Sequence, residues 1–314
     1  MATGWIEIRA TGRAVSKDAA TAALISAGSP GVLEESDTGA AGTLVSYSLW
    51  EDETAEEEDS REIVSLRAYL PIGEEAKLKE IREQLNRIGW RLATSTLKET
   101  DWSQKWKKGL KPIRVAYKGT ALVIKPTWKK SEKKPGEKII EIDPGMAFGT
   151  GGHATTKMCL KAILRLVKDK LLPPAPDMLD VGTGTGVLAI AAMKLGFKKA
   201  VGIDIDRVAV TVAKKNARDN KAKVTLSDKP VESIKERFSL VAANILAGEL
   251  IRLSHPIKDR VRLEGWLILS GILAKESETV VEAYAKTGLQ FRRTYKTGEW
   301  VALLFQCPPK ERRG

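Results

Sequence analysis

A chain of 314 residues has room for about two domains at roughly 150 residues each, and 43% hydrophobic with 29% charged residues marks it as globular. Two cysteines, Cys159 and Cys307, and two histidines, His153 and His255, are too few for a disulfide scaffold or a Cys/His zinc centre, so no metal is expected. No run reaches the ~18 apolar residues a membrane span needs, and residues 1–15 have no apolar signal core, so a cytoplasmic location without membrane contact is expected.

The formal net charge of +12 is unevenly spread. Residues 1–97 carry 10 Lys+Arg against 17 Asp+Glu, whereas the remainder carries 42 against 23. An acidic front and a basic back suggest two domains facing different partners. The basic part reads either as a surface lying near RNA or as a lysine-rich solvated face.

The front reads as a small α/β unit. Trp5, Ile6 and Ile8 begin a strand, and residues 16–27 read as a helix with Ser16 as N-cap and Gly28 and Pro30 as its stop. Residues 31–35 and 43–49 are strand-like, and 51–59 is a loop dense in Glu and Asp. Residues 63–70 alternate in the manner of a strand. In 74–88, Leu78, Ile81, Leu85 and Ile88 recur at helical spacing before Gly89, and 90–97 reads as a last strand. That order resembles a ferredoxin-like sandwich with a spare strand or hairpin. Residues 100–110 read as a connecting helix, with Trp102 and Trp106 on one face, either docked on a core or serving as a hinge. The domain limits expected are 1–98, a linker helix over 99–112, and 113–314.

Residues 121–124 start a strand and 125–138 read as a Lys/Pro/Gly-rich loop. Strands at 178–181, 201–203, 224–226, 240–243 and 266–269 then alternate with helices, among them 187–195 and 207–217. This alternation predicts a mostly parallel sheet covered on both faces, an α/β Rossmann-like architecture, closed by an antiparallel pair around Thr297-Gly298.

Three motifs carry chemistry. In the first, Gly182-Thr183-Gly184-Thr185-Gly186 follows a strand and opens a helix, and Asp204 ends the next strand. Glycines there let the backbone approach a ligand, and the acid can bind ribose hydroxyls. Position 187 is valine where a dinucleotide fingerprint wants a small residue, which weighs against a nicotinamide enzyme. The pattern resembles the S-adenosylmethionine (SAM) site of class I methyltransferases.

In the second, Asn244-Ile245-Leu246 ends the fourth strand, at the carboxyl edge where open α/β sheets bind ligands. The Asn244 carbonyl can accept from an amine N–H; the plainer reading is a strand-end turn. Third, residues 143–156 run Asp-Pro-Gly-Met-Ala-Phe-Gly-Thr-Gly-Gly-His-Ala-Thr-Thr, read either as a lid with Phe148 as an apolar wall or as a structural glycine loop. Thr156 stands at a helix start, where a hydroxyl can cap it or hold a carboxylate. His153 is either a base or a residue that holds the loop by hydrogen bonds. Cys159 reads as a small core residue.

The 143–156 string, with 179–196, 202–216, 241–246 and Leu269-Ser270-Gly271-Ile272-Leu273, strongly resembles the PrmA family, which methylates ribosomal protein L11 of the large subunit. The catalytic resemblance runs from about Trp102 to Phe305; the front resembles the family's substrate-recognition domain in layout only. The resemblance implies SAM as methyl donor and contacts to it at Thr156, Gly182, Gly184, Asp204 and Asn244, with Phe148 and Thr150 nearby. It implies lysine amines, and the N-terminal α-amine, of L11 as acceptors, with L11 free or on the ribosome; a monomer is expected, and the basic surface leaves ribosomal RNA possible nearby. One departure is Ser239, where the family usually has an acid before the fourth strand.

The implied reaction is an SN2 transfer to an amine that must be neutral. For a lysine of pKa about 10.4 this costs roughly 4 kcal/mol at pH 7.4, and far less for an α-amine. Asn244, the one catalytic residue expected, would orient the lone pair, proximity would supply most of the rate, and no strong base is evident. The competing readings are a methyltransferase for RNA, another protein or a small-molecule amine, and a SAM-binding module without turnover.

Overall fold

The computed structural model describes residues 4–29, 32–35, 63–98, 112–129, 134–143 and 153–309. The chain divides into two compact units, Met1–Lys111 and Pro112–Gly314.

The first unit contains β1 (Gly4–Arg13), α1 (Lys17–Ser26), β2 (Val32–Glu35), β3 (Ile63–Pro71), α2 (Glu75–Arg87) and β4 (Arg91–Lys98). Its strands lie in the order β2-β3-β1-β4, every neighbouring pair antiparallel, which is the ferredoxin-like arrangement expected. Strand period two sends Ile6, Ile8 and Ala10 of β1 and Val64, Leu66, Ala68 and Leu70 of β3 to one face, where they meet Leu24 of α1 and Ile81 and Leu85 of α2.

Ser16 departs from its expected role. Its side chain makes no cap hydrogen bond. Instead its Oγ accepts from Trp90 Nε1 at 2.8 Å. The indole of Trp90 is buried and its N–H needs an acceptor, a stronger demand than capping a helix that a short 3-10 turn already leads into. The strand expected at 43–49, the acidic loop at 51–59 and the connecting helix expected at 100–110 with Trp102 and Trp106 lie outside the described residues.

The second unit opens with a three-stranded sheet in the order β5-β6-β7: β5 (Ile113–Tyr117), β6 (Thr120–Lys125) and β7 (Glu137–Glu141). Of these only β6 is expected from the sequence; β5 and β7 are five residues long, too short for a periodic pattern to show. The expected loop at 125–138 overlaps both β6 and β7 at its ends. Lys125, buried in this sheet, donates to Glu141 Oε1 at 2.6 Å and to the Lys129 carbonyl at 2.7 Å, which removes the cost of an unpaired charge.

The main sheet follows, with its helices in chain order: α3 (Ala154–Lys168), β8 (Asp177–Val181), α4 (Val187–Lys194), β9 (Lys199–Ile203), α5 (Arg207–Asp219), β10 (Val224–Ser227), β11 (Phe238–Asn244), α6 (Ala247–Arg252), α7 (Ser254–Asp259), β12 (Val261–Leu273), α8 (Ser277–Ala285), β13 (Gln290–Thr297) and β14 (Trp300–Gln306). The strand order is β10-β9-β8-β11-β12-β14-β13. From β10 through β12 all pairs are parallel, and β14 runs antiparallel to both its neighbours. This is the Rossmann-like sheet the alternation predicts. Every residue of β8 and β11 is buried, as central parallel strands require. Chain order reverses direction between β8 and β11, and such a switch opens a crevice beyond the strands' carboxyl ends.

Candidate functional site

The loop leaving β8 into α4 is built on three glycines in the left-handed region, with φ of 71° at Gly182, 54° at Gly184 and 83° at Gly186. Side chains at these positions would be strained, which is why the sequence spends glycine here. The amides of Gly182 and Thr183 both donate to the Ile203 carbonyl at 2.9 Å, pinning the loop to the end of β9. Thr183 Oγ1 donates to Asp180 Oδ2 at 2.7 Å. Asn216 of α5 donates from Nδ2 to the Thr185 carbonyl at 2.9 Å.

Asp204, just past β9, accepts from the Gly184 amide at 2.9 Å through Oδ2 and from the Asp206 amide at 3.0 Å through Oδ1. The structure therefore brings Gly182, Gly184 and Asp204 together as the spacing predicts. Each carboxylate oxygen keeps a second lone pair for a hydroxyl donor. Ile205 follows with 86% of its surface exposed, an apolar side chain at the same edge that the sequence reading did not single out.

Asn244 is the last residue of β11 and is only 9% exposed. Its Nδ2 donates to Thr156 Oγ1 at 3.4 Å, so these two predicted residues meet across β11 and the first turn of α3. Its Oδ1 is buried without a hydrogen-bond partner. A buried orphan acceptor costs free energy, and a donor that reaches it relieves that cost. Leu246, two residues on, is 66% exposed.

Asp180 was overlooked as a site residue. It lies under the glycine loop, 1% exposed, and its Oδ1 also lacks a partner. Burial pushes its carboxyl up to about 7; the Asp204 charge adds to this, and the Thr183 hydrogen bond works against it. Its signal in the sequence is an acid inside a short, mostly apolar strand, two residues before Gly182.

His153 is the N-cap of α3. Its Nδ1 accepts from the Thr155 amide at 3.4 Å and lies 2.8 Å from the Thr155 hydroxyl. Its ring stands edge-on to Trp300, with centroids 4.9 Å apart. Burial, with a contribution from Lys157, pushes its pKa down to about 4, so the imidazole is neutral at physiological pH. Cys159 is fully buried and its thiol is pushed up to about 12 by burial, in keeping with a core residue. Phe148 and Thr150, with the rest of 144–152, lie outside the described residues.

Residues 4–308 match the family described as ribosomal protein L11 methyltransferase (PrmA). The chain is 45% identical over 213 residues to the ribosomal protein L11 methyltransferase of Geobacter metallireducens, covering 68% of each chain. It is 33% identical over 310 residues to that of Caldicellulosiruptor bescii, covering 96% of this chain and 98% of the relative. Among solved structures, the ribosomal protein L11 methylase of Lactobacillus delbrueckii subsp. bulgaricus is similar with a TM-score of 0.55 at 30% identity, over 62% of this chain and 98% of that one.

Proposed function

This chain belongs to the PrmA family of ribosomal protein L11 methyltransferases, and we propose that it transfers methyl groups from SAM to amines of ribosomal protein L11, on lysine side chains and the N-terminal α-amine. The observation that carries the reading is the buried, unpartnered Oδ1 of Asn244 at the carboxyl end of β11. It is an acceptor awaiting an N–H donor beside the glycine loop, which is what an amine substrate offers.

The donor subsite fits the same edge. Gly182 and Gly184 present backbone without a Cβ, and Asp204 takes the ribose hydroxyls. Thr156 orders the Asn244 amide from the α3 side, and the 144–152 segment contributes Phe148 and Thr150. Exposed Ile205 suits the flat face of a base. When bound, SAM supplies an electrophilic methyl on a cationic sulfur. The protein's own task is then to align an amine lone pair with that methyl and to exclude competing orientations.

Asn244 Oδ1 holds one N–H and so fixes the direction of the lone pair. The charge at Asp180, whose ionisation sits near neutrality, favours a nearby cation. Among the described residues no base of ordinary strength stands out: His153, with a pKa of about 4 and Nδ1 committed to Thr155, is a helix cap. The amine therefore loses its proton to water.

Residues 1–98 form the substrate-recognition module, joined through a linker over 99–112 to a catalytic domain over 113–314. The enzyme acts in the cytoplasm as a monomer without a metal, and its basic catalytic domain can lie near ribosomal RNA. Among the described residues no helix is long and apolar enough to cross a membrane.

The test is the intact mass of purified, unmethylated L11 after incubation with the enzyme and SAM. Methyl-sized increments support the reading. An unchanged mass with SAM binding confirmed separately rejects L11 as substrate. Label transferred from SAM into an RNase-sensitive fraction would favour RNA instead.

A further inference from the structure

Three neighbouring strands meet at this edge, and one residue, Ile245, lies against the other two, by its side chain on one and by its backbone on the other. Gly182 leaves β8 at φ +71°, and a Cβ placed on it would overlap Ile245 Cγ2. Gly271, in β12, has φ +82°, and a Cβ there would overlap the Ile245 carbonyl oxygen and lie 2.9 Å from its carbonyl carbon and 3.1 Å from its nitrogen. Both glycines are therefore required twice over, by dihedral and by the closeness of Ile245.

The approach of β12 has a visible cause. Asn244 pairs with Ser270 as the last pair of the β11–β12 ladder, and the β12–β14 register shifts between Leu269 and Ile272. The irregularity falls at Gly271 and brings its backbone over the Ile245 peptide. Bulges of this kind re-aim the chain next to active sites.

We infer that Ile245 is a positioning residue: its β-branched side chain, wedged on Gly182, and its peptide, backed by Gly271, hold the donor loop and the amine-facing Asn244 in one fixed register. The inference rests on the methyl-transfer reading for the names of the two subsites, and goes beyond it in naming what sets their spacing. The contact is made by Cγ2, an atom of the branch at Cβ. Valine retains that atom. Leucine, equal to isoleucine in volume, lacks it.

The two substitutions therefore separate positioning from packing. Ile245→Val keeps kcat within about twofold of the wild type, whereas Ile245→Leu lowers it about tenfold or more, because misplacement of about 1 Å can cost that and beyond. Thermal midpoint and SAM affinity stay close to wild type in both. Equal kcat values for the two variants, or a loss in the leucine variant accounted for wholly by weaker SAM binding, overturn the inference.

A second readout needs no turnover. The Gly182 and Gly184 amides, bonded to Ile203 and Asp204, exchange hydrogen faster in Ile245→Leu than in Ile245→Val, and equal exchange overturns the inference. If wild-type enzyme leaves L11 unmethylated while the exchange contrast holds, the substrate reading fails and the coupling stands.

Discussion

The two ends of β8 carry an aspartate each, and the pair behaves in opposite ways. At the amino end, Asp177 exchanges hydrogen bonds with Ser239 of β11: the Ser239 amide donates to Asp177 Oδ1 at 2.8 Å, and the Asp177 amide donates to Ser239 Oγ at 2.9 Å. Arg262 takes the other carboxylate oxygen at 2.9 Å. Burial alone would raise this carboxyl, but the Ser239 hydrogen bonds and Arg262 hold it below the usual range. At the carboxyl end, three residues on, Asp180 keeps one oxygen unpartnered and is pushed up to about 7 by burial. On β11 the contrast repeats, with Ser239 fully engaged and Asn244 holding an orphan acceptor. Buried polar groups that partner one another serve stability, and those left open at the topological switch point serve a ligand. Ser239, the one departure from the family pattern, belongs to the satisfied end, which fits an unimpaired catalytic edge.

The comparison can be broken by moving either end alone. The largest effect is expected from Asn244→Ala, with turnover on L11 falling about 10²-fold and little change in thermal midpoint, since an orphan acceptor is being removed. Turnover and SAM affinity both intact in that variant would refute its role. Asp177→Ala should do the reverse, costing about 2–3 kcal/mol of stability in denaturant titration by leaving the Ser239 amide unpaired and taking the carboxylate from Arg262, which keeps the Arg237 carbonyl, with kcat of the folded enzyme unchanged.

The third test uses pH. Asp180 has a raised folded-state pKa, so its contribution to stability is fully present below about pH 4 and is lost as pH rises through about 7. Asp180→Asn removes that titration, so its stability relative to wild type should grow by about 2–3 kcal/mol between pH 5 and pH 8, read from thermal midpoints. Asp177 has the opposite sign, its contribution being lost only as pH falls below the ordinary carboxylate range. The smallest effect is Ser239→Ala, about 1 kcal/mol, because the Arg262 pair and the Ser239 amide survive.

Much of the catalytic unit was legible because its signals are local. Glycines at 182, 184 and 186 declare a left-handed loop, and strand–helix alternation places Asp204 and Asn244 at one edge without any coordinates. The small unit was legible from period-two strands such as β3, whose burial alternates over residues 63–68. What was not legible depends on partners distant in sequence. Ser16 looks like a cap until Trp90, 74 residues away, claims its hydroxyl. The role of Gly271 depends on a register shift in β12 and on a peptide of β11, and no pattern in residues 269–273 reveals it. Asp180 is visible in the sequence as an acid in a short strand, but that burial raises its carboxyl is set by packing from residues distant in sequence. Strands β5 and β7 escaped because five residues give periodicity too little to act on.

The most direct test of the division between the two ends of the sheet is diffraction from crystals grown with S-adenosylhomocysteine, the demethylated donor. The nucleoside should lie over Gly182 and Gly184 with its ribose hydroxyls on Asp204, and Asn244 Oδ1 should face the sulfur side, open to an amine. Density for the ligand at the amino end beside Asp177 and Arg262, or an Asn244 whose Oδ1 is turned away from the sulfur, would contradict the account.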